Sequence, residues 1–124
     1  MIITIKNYKC LSLNDYFGKH WAAKAKITEI EKGLAYADAK QRINAERIIE
    51  GKFTKINKCK IIFSAYFKDK RKHDPDNLLA KNFIDGIVAA GVIPDDNDQV
   101  VIGIEKRALR GQDYNGIDIQ IIQL

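Results

Sequence analysis

The chain has 124 residues, a net charge of +5 and a hydrophobic fraction of 46%, which predict one packed domain and argue against disorder. No apolar run is long enough to span a bilayer and the first residues do not resemble a signal peptide, so we expect a cytoplasmic protein without a membrane partner. The positive charge favours a polyanionic partner such as DNA or RNA. Cys10 and Cys59 match no metal or redox spacing and are predicted to be buried, reduced thiols.

The first half of the chain predicts a strand, a loop and a long helix. Residues 2–7 alternate as a strand does, and residues 10–17 are expected to form a loop. From residue 21 to about residue 49 the chain is rich in Ala, Lys and Glu, which favours a helix that stops at Gly51. This helix is expected to face the core with an apolar stripe at helical spacing, formed by Ile27, Ile30, Leu34 and Ala37.

The second half predicts a buried strand, a second helix and two more strands. Residues 58–68 are expected to be a strand, because apolar residues occupy every second position: Cys59, Ile61, Phe63, Ala65 and Phe67. A polar loop follows. A second helix is expected to be capped by Asp76 or Asn77, to bury Leu79, Phe83 and Ile87, and to end at Gly91. After a turn at 94–98, strands are expected at 99–108 and 117–121. The order β-α-β-α-β-β predicts a single α+β domain over residues 1–124, with a mixed sheet and the helices on one side.

Carboxylates concentrate in two short segments of this basic chain. Asp74 and Asp76 lie two residues apart where Pro75 favours an extended backbone, so both side chains can point to the same side. Asp95 and Asp96 follow the second predicted helix. Such clusters would repel phosphate unless they hold a hard cation, and Mg²⁺ takes its oxygen ligands from carboxylates and substrate phosphates. This combination predicts a metal-dependent nuclease that hydrolyses phosphodiester bonds.

Cationic side chains accompany the first acidic segment. A basic run directly precedes Asp74 and is predicted to bind phosphates; its members are Lys70, Arg71, Lys72 and His73. Lys81 is expected one turn into the second helix, where its ammonium group can reach back towards the carboxylates and stabilise charge on a phosphate in the transition state.

Each of these features also has an ordinary structural explanation. Residues 74–77 are common loop-and-cap chemistry, residues 94–98 form a common acidic turn, and Lys81 with the basic run can be solvated surface. Tyr16, Phe17 and Trp21 could stack on bases, but a core position is the prediction for them. The nuclease hypothesis depends on the combination.

The combination resembles the RusA family of Holliday junction resolvases of bacteria and their phages. The resemblance is carried by residues 71–77, then Lys81, Phe83 and Asp85, then residues 90–96 and Gln99-Val100. The family's hallmark is a basic run, Asp-x-Asp-Asn, a helix with a Lys, and a Gly followed by a paired Asp turn. Residues 13–16 are similar to the family's N-terminal loop. In one departure, Lys81 follows Asn77 by four residues, where the usual motif has three.

The resemblance implies a homodimeric, Mg²⁺-dependent endonuclease, with Mn²⁺ as the alternative ion, that resolves four-way DNA junctions by paired symmetric nicks in DNA recombination and repair. It also implies a bacterial cytoplasm, with the gene carried by the cell or a phage. By position, Asp74, Asp76 and Asp96 would bind the metal, Asp95 would be a lesser neighbour, and Lys81 would be the catalytic lysine. The DNA contacts would come from Lys70, Arg71, Lys72, His73 and Asn77. Two alternatives stay open: a nuclease for other branched DNA, and a non-catalytic DNA-binding module whose acidic segment is only a turn.

Overall fold

Four strands and three α-helices make up the chain, which a computed structural model describes over residues 1–124. The elements are β1 (Ile2–Lys6), α1 (Leu13–Phe17), α2 (Trp21–Glu50), β2 (Cys59–Tyr66), a 3-10 turn (Pro75–Asn77), α3 (Lys81–Ala90), β3 (Val101–Leu109) and β4 (Gly116–Gln123). The predicted α+β domain with a mixed sheet is confirmed. The short helix α1 and the 3-10 turn lie where the sequence predicted a loop and the start of a helix. No helix combines the length and apolar character needed to cross a membrane.

The sheet has the strand order β1-β4-β2-β3. β4 pairs antiparallel with both β1 and β2, whereas β2 and β3 are parallel. Parallel neighbours need a crossover, and α3 supplies it between β2 and β3. The alternation predicted for β2 is confirmed, since every inward residue from Cys59 to Phe67 is at most 1% exposed.

The buried face of α2 differs from the predicted apolar stripe. The buried residues of α2 are Glu31, Ala35, Ala39 and Ile43. The predicted stripe is therefore wrong: Ile30 and Leu34 are 46% and 37% exposed. The buried face is rotated by about one residue from the predicted stripe, and it includes Ala35, where α3 approaches α2 closely.

The close approach is made possible by Gly86 on α3. A Cβ atom at Gly86 would lie 2.3 Å from the backbone oxygen of Lys32 and 3.0 Å from the Cβ of Ala35, both on α2. Gly33 lies on α2 as well, but a Cβ there would meet nothing within 4 Å.

We expect Gly86→Ala to lower the free energy of unfolding by at least about 2 kcal/mol, because the backbone of α2 must move to relieve the clash. Gly33→Ala is the matched control, and it should raise the free energy of unfolding by about 1 kcal/mol through helix propensity. Urea denaturation followed by circular dichroism measures both. Equal effects of the two substitutions would contradict this account of the helix contact.

The second helix begins later than predicted. Asp74, not Asp76 or Asn77, caps the 3-10 turn, and Leu78 is extended (φ −76°, ψ 135°) before α3 starts at Lys81. Pro75 explains the difference, because it suits the first position of a short helical turn, and that turn does not continue into α3. The predicted end is confirmed: Gly91 adopts a left-handed conformation with φ +92°, which glycine tolerates without strain.

Candidate metal and nucleic-acid site

The two carboxylates of the first acidic segment lie on the 3-10 turn. The Asp74 carboxylate accepts a hydrogen bond from the backbone N–H of Asp76 at 3.3 Å, which fixes the start of the turn. Both side chains are exposed, and Asn77 beside them is half-buried. These oxygen atoms therefore face solvent and are open to a ligand.

A clamped link joins this turn to α3. The backbone N–H of Leu79 donates to the Leu11 carbonyl at 2.9 Å, and the Lys106 ammonium donates to the Leu78 carbonyl at 2.8 Å. The link accommodates the extra residue between Asn77 and Lys81 noted in the sequence. It holds the carboxylates of the turn at a fixed position relative to the start of α3.

Lys106 is a residue that the sequence analysis missed. It lies on β3, half-buried, and borders a shallow hollow with Asp76 and Ile104. Its register partner on β2 is the buried Phe63, so Lys106 occupies an inward position of the sheet. A lysine at an inward strand position is the signal that could have identified it, because such residues are seldom buried without a partner.

The second acidic segment returns to the start of α3. The Lys81 ammonium donates to Asp85 at 2.9 Å and to Asp96 at 3.3 Å. Asp96 thus lies near the first residue of α3, although α3 and the turn after it separate the two residues along the chain. The hydrogen bond to Asp85, together with the one to Asp96, raises the pKa of Lys81 above its usual value, so the side chain stays a cation.

Asp95 has a different role from Asp96. Its carboxylate accepts from the backbone N–H of Asp96 at 2.8 Å and from the side-chain amide of Asn97 at 3.1 Å. The backbone hydrogen bond from Asp96 is the main reason that the pKa of Asp95 lies below its usual range. Asp95 therefore shapes the turn and presents Asp96.

Asp69 organises the basic run. It accepts from the ring of His73 at 2.7 Å and from the backbone N–H of Arg71 at 3.2 Å, and it pairs with Lys9 at 3.0 Å. The bond to His73, followed by the contact with Lys9, holds the pKa of Asp69 well below its usual range. Nothing in the sequence singles out this aspartate, which is one charge among many in a polar loop.

His73 differs from its neighbours in the run. Its ring stacks on Phe67 with the ring centroids 3.6 Å apart, and its side chain is 17% exposed. Lys70, Arg71 and Lys72 are exposed, with 74% of the Arg71 side chain accessible. The three exposed cations are available for phosphates, whereas the ring of His73 is engaged within the loop. A DNA contact for His73 stays a prediction.

A buried polar cluster lies behind the start of α3. Glu31 of α2 is fully buried, and its carboxylate accepts from the Tyr8 hydroxyl and, at 3.0 Å, from the side-chain amide of Asn82. Burial raises the pKa of the Glu31 carboxyl, and the two hydrogen bonds offset part of that effect. Asn82 follows Lys81 directly, so the cluster fixes the first turn of α3.

Two aromatic residues lie outside the core, contrary to the prediction. Phe17 and Trp21 are 65% and 72% exposed. The reason is that α1 buries none of its residues, and the first buried residue of α2 is Glu31. Both rings are therefore accessible near the junction of α1 and α2.

The structure brings some of the predicted site residues together and leaves others apart. Lys81 contacts Asp96, and Asp74 contacts the backbone of Asp76. Nowhere do three or more carboxylate, imidazole or thiol groups lie close enough to hold a metal ion. The shared ion predicted for Asp74, Asp76 and Asp96 stays a prediction.

Protein families and curated sequences were compared with the chain. No protein-family model matches the chain, and no curated protein matches it in sequence. The resemblance described above rests on the motif residues alone.

Proposed function

We propose that this protein is a metal-dependent endonuclease that resolves four-way DNA junctions by paired symmetric nicks. The observation that carries the proposal is the return of Asp96 to Lys81, with 3.3 Å between the ammonium nitrogen and a carboxylate oxygen. It brings the second acidic segment to the lysine that the family motif requires, which begins α3. A plain acidic turn would not need to contact the start of α3.

The donor groups fit a hard divalent cation. Asp74, Asp76 and Asp96 are all exposed and supply carboxylate oxygens, with no thiolate among them. These three would hold Mg²⁺ or Mn²⁺, and Asp95 would contribute mainly by shaping the turn. When bound, the ion supplies Lewis-acid polarisation of the phosphate and a water of lowered pKa.

The cationic residues act on the phosphates. Lys81 stays protonated and stabilises the negative charge that grows on the phosphate oxygens in the transition state. Lys70, Arg71 and Lys72 bind neighbouring phosphates, with the Arg71 fork suited to two oxygens at once. The Asn77 side chain, at the end of the 3-10 turn, donates to a DNA oxygen.

The substrate class suggests a two-fold assembly. A four-way junction has approximate two-fold symmetry and needs two cuts, which a homodimer with two identical sites can make. The net charge of +5 favours DNA over an uncharged partner.

The test is cleavage of a synthetic four-way junction, with linear duplex and a flap of the same sequence as competitors. We expect symmetric nicks in Mg²⁺ or Mn²⁺ and none in EDTA. Equal cutting of all three DNAs would contradict selectivity for junctions but would still support a nuclease. Tight junction binding without cutting in either metal would favour the non-catalytic module.

Lys81→Ala should slow junction cleavage by about 100-fold, because the lost charge acts mainly in the transition state. Junction affinity should change far less, as titration in EDTA would show. Lys52→Ala is the matched control, since Lys52 is exposed, lies two residues after the last residue of α2 and makes no ion pair. If Lys81→Ala only weakens binding and turns over normally, the lysine is a phosphate clamp.

A further inference from the structure

A cleft of about 530 Å³ opens beside Asp74, between residues 9–15 and residues 67–78. We refer to it as the Asp74 cleft. Its size lies within the roughly 300–1,000 Å³ typical of small-molecule sites. It shares Asp74, Asn77 and the basic residues 71–73 with the proposed site but extends away from Lys81 and Asp96, which do not border it.

The walls of the Asp74 cleft are tied together by backbone contacts. Ser12 and Leu78 form an isolated antiparallel bridge, and the Leu79 N–H donates to the Leu11 carbonyl at 2.9 Å. The Ser12 side chain accepts from the Asp15 N–H at 3.0 Å, which fixes the turn into α1. These contacts hold the two walls at a fixed separation, so the cleft is part of the fold and not a gap between two free loops.

The lining of the cleft combines an apolar floor with a basic rim. Leu11 is half-buried and supplies the apolar surface, whereas Phe67 and Leu78 lie behind it and are only 1% and 2% exposed. Arg71 and Lys72 lie on the rim, and Lys72 makes no ion pair that would compete for a ligand. Apolar surface suits the face of a nucleobase, and exposed cations suit the phosphate attached to it.

We propose that the Asp74 cleft receives one unpaired nucleotide of the DNA, with its base against Leu11 and its phosphate at Lys72. The inference rests on the proposed function and names the part of the substrate that this function must recognise. A paired base in a linear duplex cannot enter without the cost of unstacking, and that cost is lowest where pairing is already disturbed. The cleft would thereby favour branched DNA over linear duplex.

Base entry can be measured without cleavage. A fluorescent adenine analogue, 2-aminopurine, is placed in turn at each nucleotide around the branch point, and the protein is added in EDTA. We expect a several-fold rise in fluorescence at one position per symmetric half of the junction, because that base leaves the stack. A linear duplex that carries the analogue at the same sequence position should show no rise. Unchanged fluorescence at every branch position under saturating protein would overturn the proposal.

Two variants test whether the base enters the Asp74 cleft. Leu11→Trp fills the floor and should lower the affinity ratio of junction to linear duplex by roughly tenfold. Ile48→Trp makes the same kind of change at a position that is 85% exposed near the end of α2, and it should leave the ratio unchanged. A Leu11→Trp protein with the wild-type ratio would overturn the proposal.

Lys72→Ala provides the same test at an exposed position, should Leu11→Trp fail to fold. It should lower the junction affinity more than the duplex affinity, whereas Lys52→Ala should affect neither selectively. An equal loss on both DNAs would count against the cleft. A fluorescence rise without cleavage in any metal would support base entry into the cleft and contradict the nuclease function. Normal cleavage without a fluorescence rise would support the nuclease function and contradict base entry.

Discussion

Asp76→Asn is expected to reduce junction cleavage by more than about 100-fold while junction binding persists. The substitution keeps the size of the side chain and removes the negative charge that would hold the ion. In EDTA, junction affinity should rise slightly, because one fewer carboxylate opposes the phosphates. Asp76 makes no side-chain hydrogen bond that the fold depends on, so the variant should be as stable as the wild type.

The matched control is Asp98→Asn. Asp98 is exposed and lies two residues from Asp96, but it contacts neither Lys81 nor the 3-10 turn. Single-turnover cleavage in Mg²⁺ and titration in EDTA should therefore match the wild type. Equal damage from both substitutions would mean that general acidity, and not a specific ligand, matters. Full activity of Asp76→Asn would contradict the proposed role of Asp76 as a metal ligand.

Glu31→Ala should lower the free energy of unfolding by about 3–5 kcal/mol. The substitution leaves a cavity and deprives the Tyr8 hydroxyl and the Asn82 amide of their acceptor in a fully buried place. Glu31→Gln should cost no more than about 1 kcal/mol, because its amide oxygen can accept from Asn82 and its N–H can donate to the Tyr8 oxygen. Urea denaturation gives both values, and a small loss for Glu31→Ala would mean that the cluster is dispensable.

The pH dependence of stability distinguishes the effect of the Glu31 charge from the effect of its side-chain shape. Because the pKa of Glu31 is raised in the folded protein, the folded state holds its proton more tightly than the unfolded state. The contribution of Glu31 to stability should therefore fall as pH rises above its ordinary value of 4.5. Wild type should lose stability relative to Glu31→Gln over that range. A difference that stays constant with pH would contradict the raised pKa.

The alternation of apolar residues in strands and the glycines at helix ends predicted the fold well, because both signals depend only on neighbouring residues. The alternation of β2 predicted its buried face, and Gly51 and Gly91 ended their helices in the left-handed conformation. The face of α2 was not predictable in the same way. It depends on where α3 packs: Gly86 approaches α2 at Lys32 and Ala35, and Ile30 and Leu34 stay 46% and 37% exposed.

The sequence suggested the residues of the candidate site, whose role stays a prediction, but it did not suggest the residues that support them. The spacing of Asp74, Asp76 and Asp96 suggested two candidate segments, while the contact between Asp96 and Lys81 depends on the path of the chain after α3. Lys106 and Glu31 act through long-range contacts. A single sequence gives no sign that a lysine on β3 reaches the Leu78 carbonyl or that a glutamate on α2 is fully buried.

The alkylation rates of the two cysteines report on the opening of two different parts of the molecule. Burial, followed by the charge of Glu31, raises the pKa of the Cys10 thiol to about 12, and burial also raises the pKa of Cys59. Neither thiol can react with an alkylating reagent at neutral pH until its surroundings open. Cys10 borders the Asp74 cleft and Cys59 begins the central strand β2, so the ratio of their alkylation rates distinguishes local opening of the cleft from global unfolding.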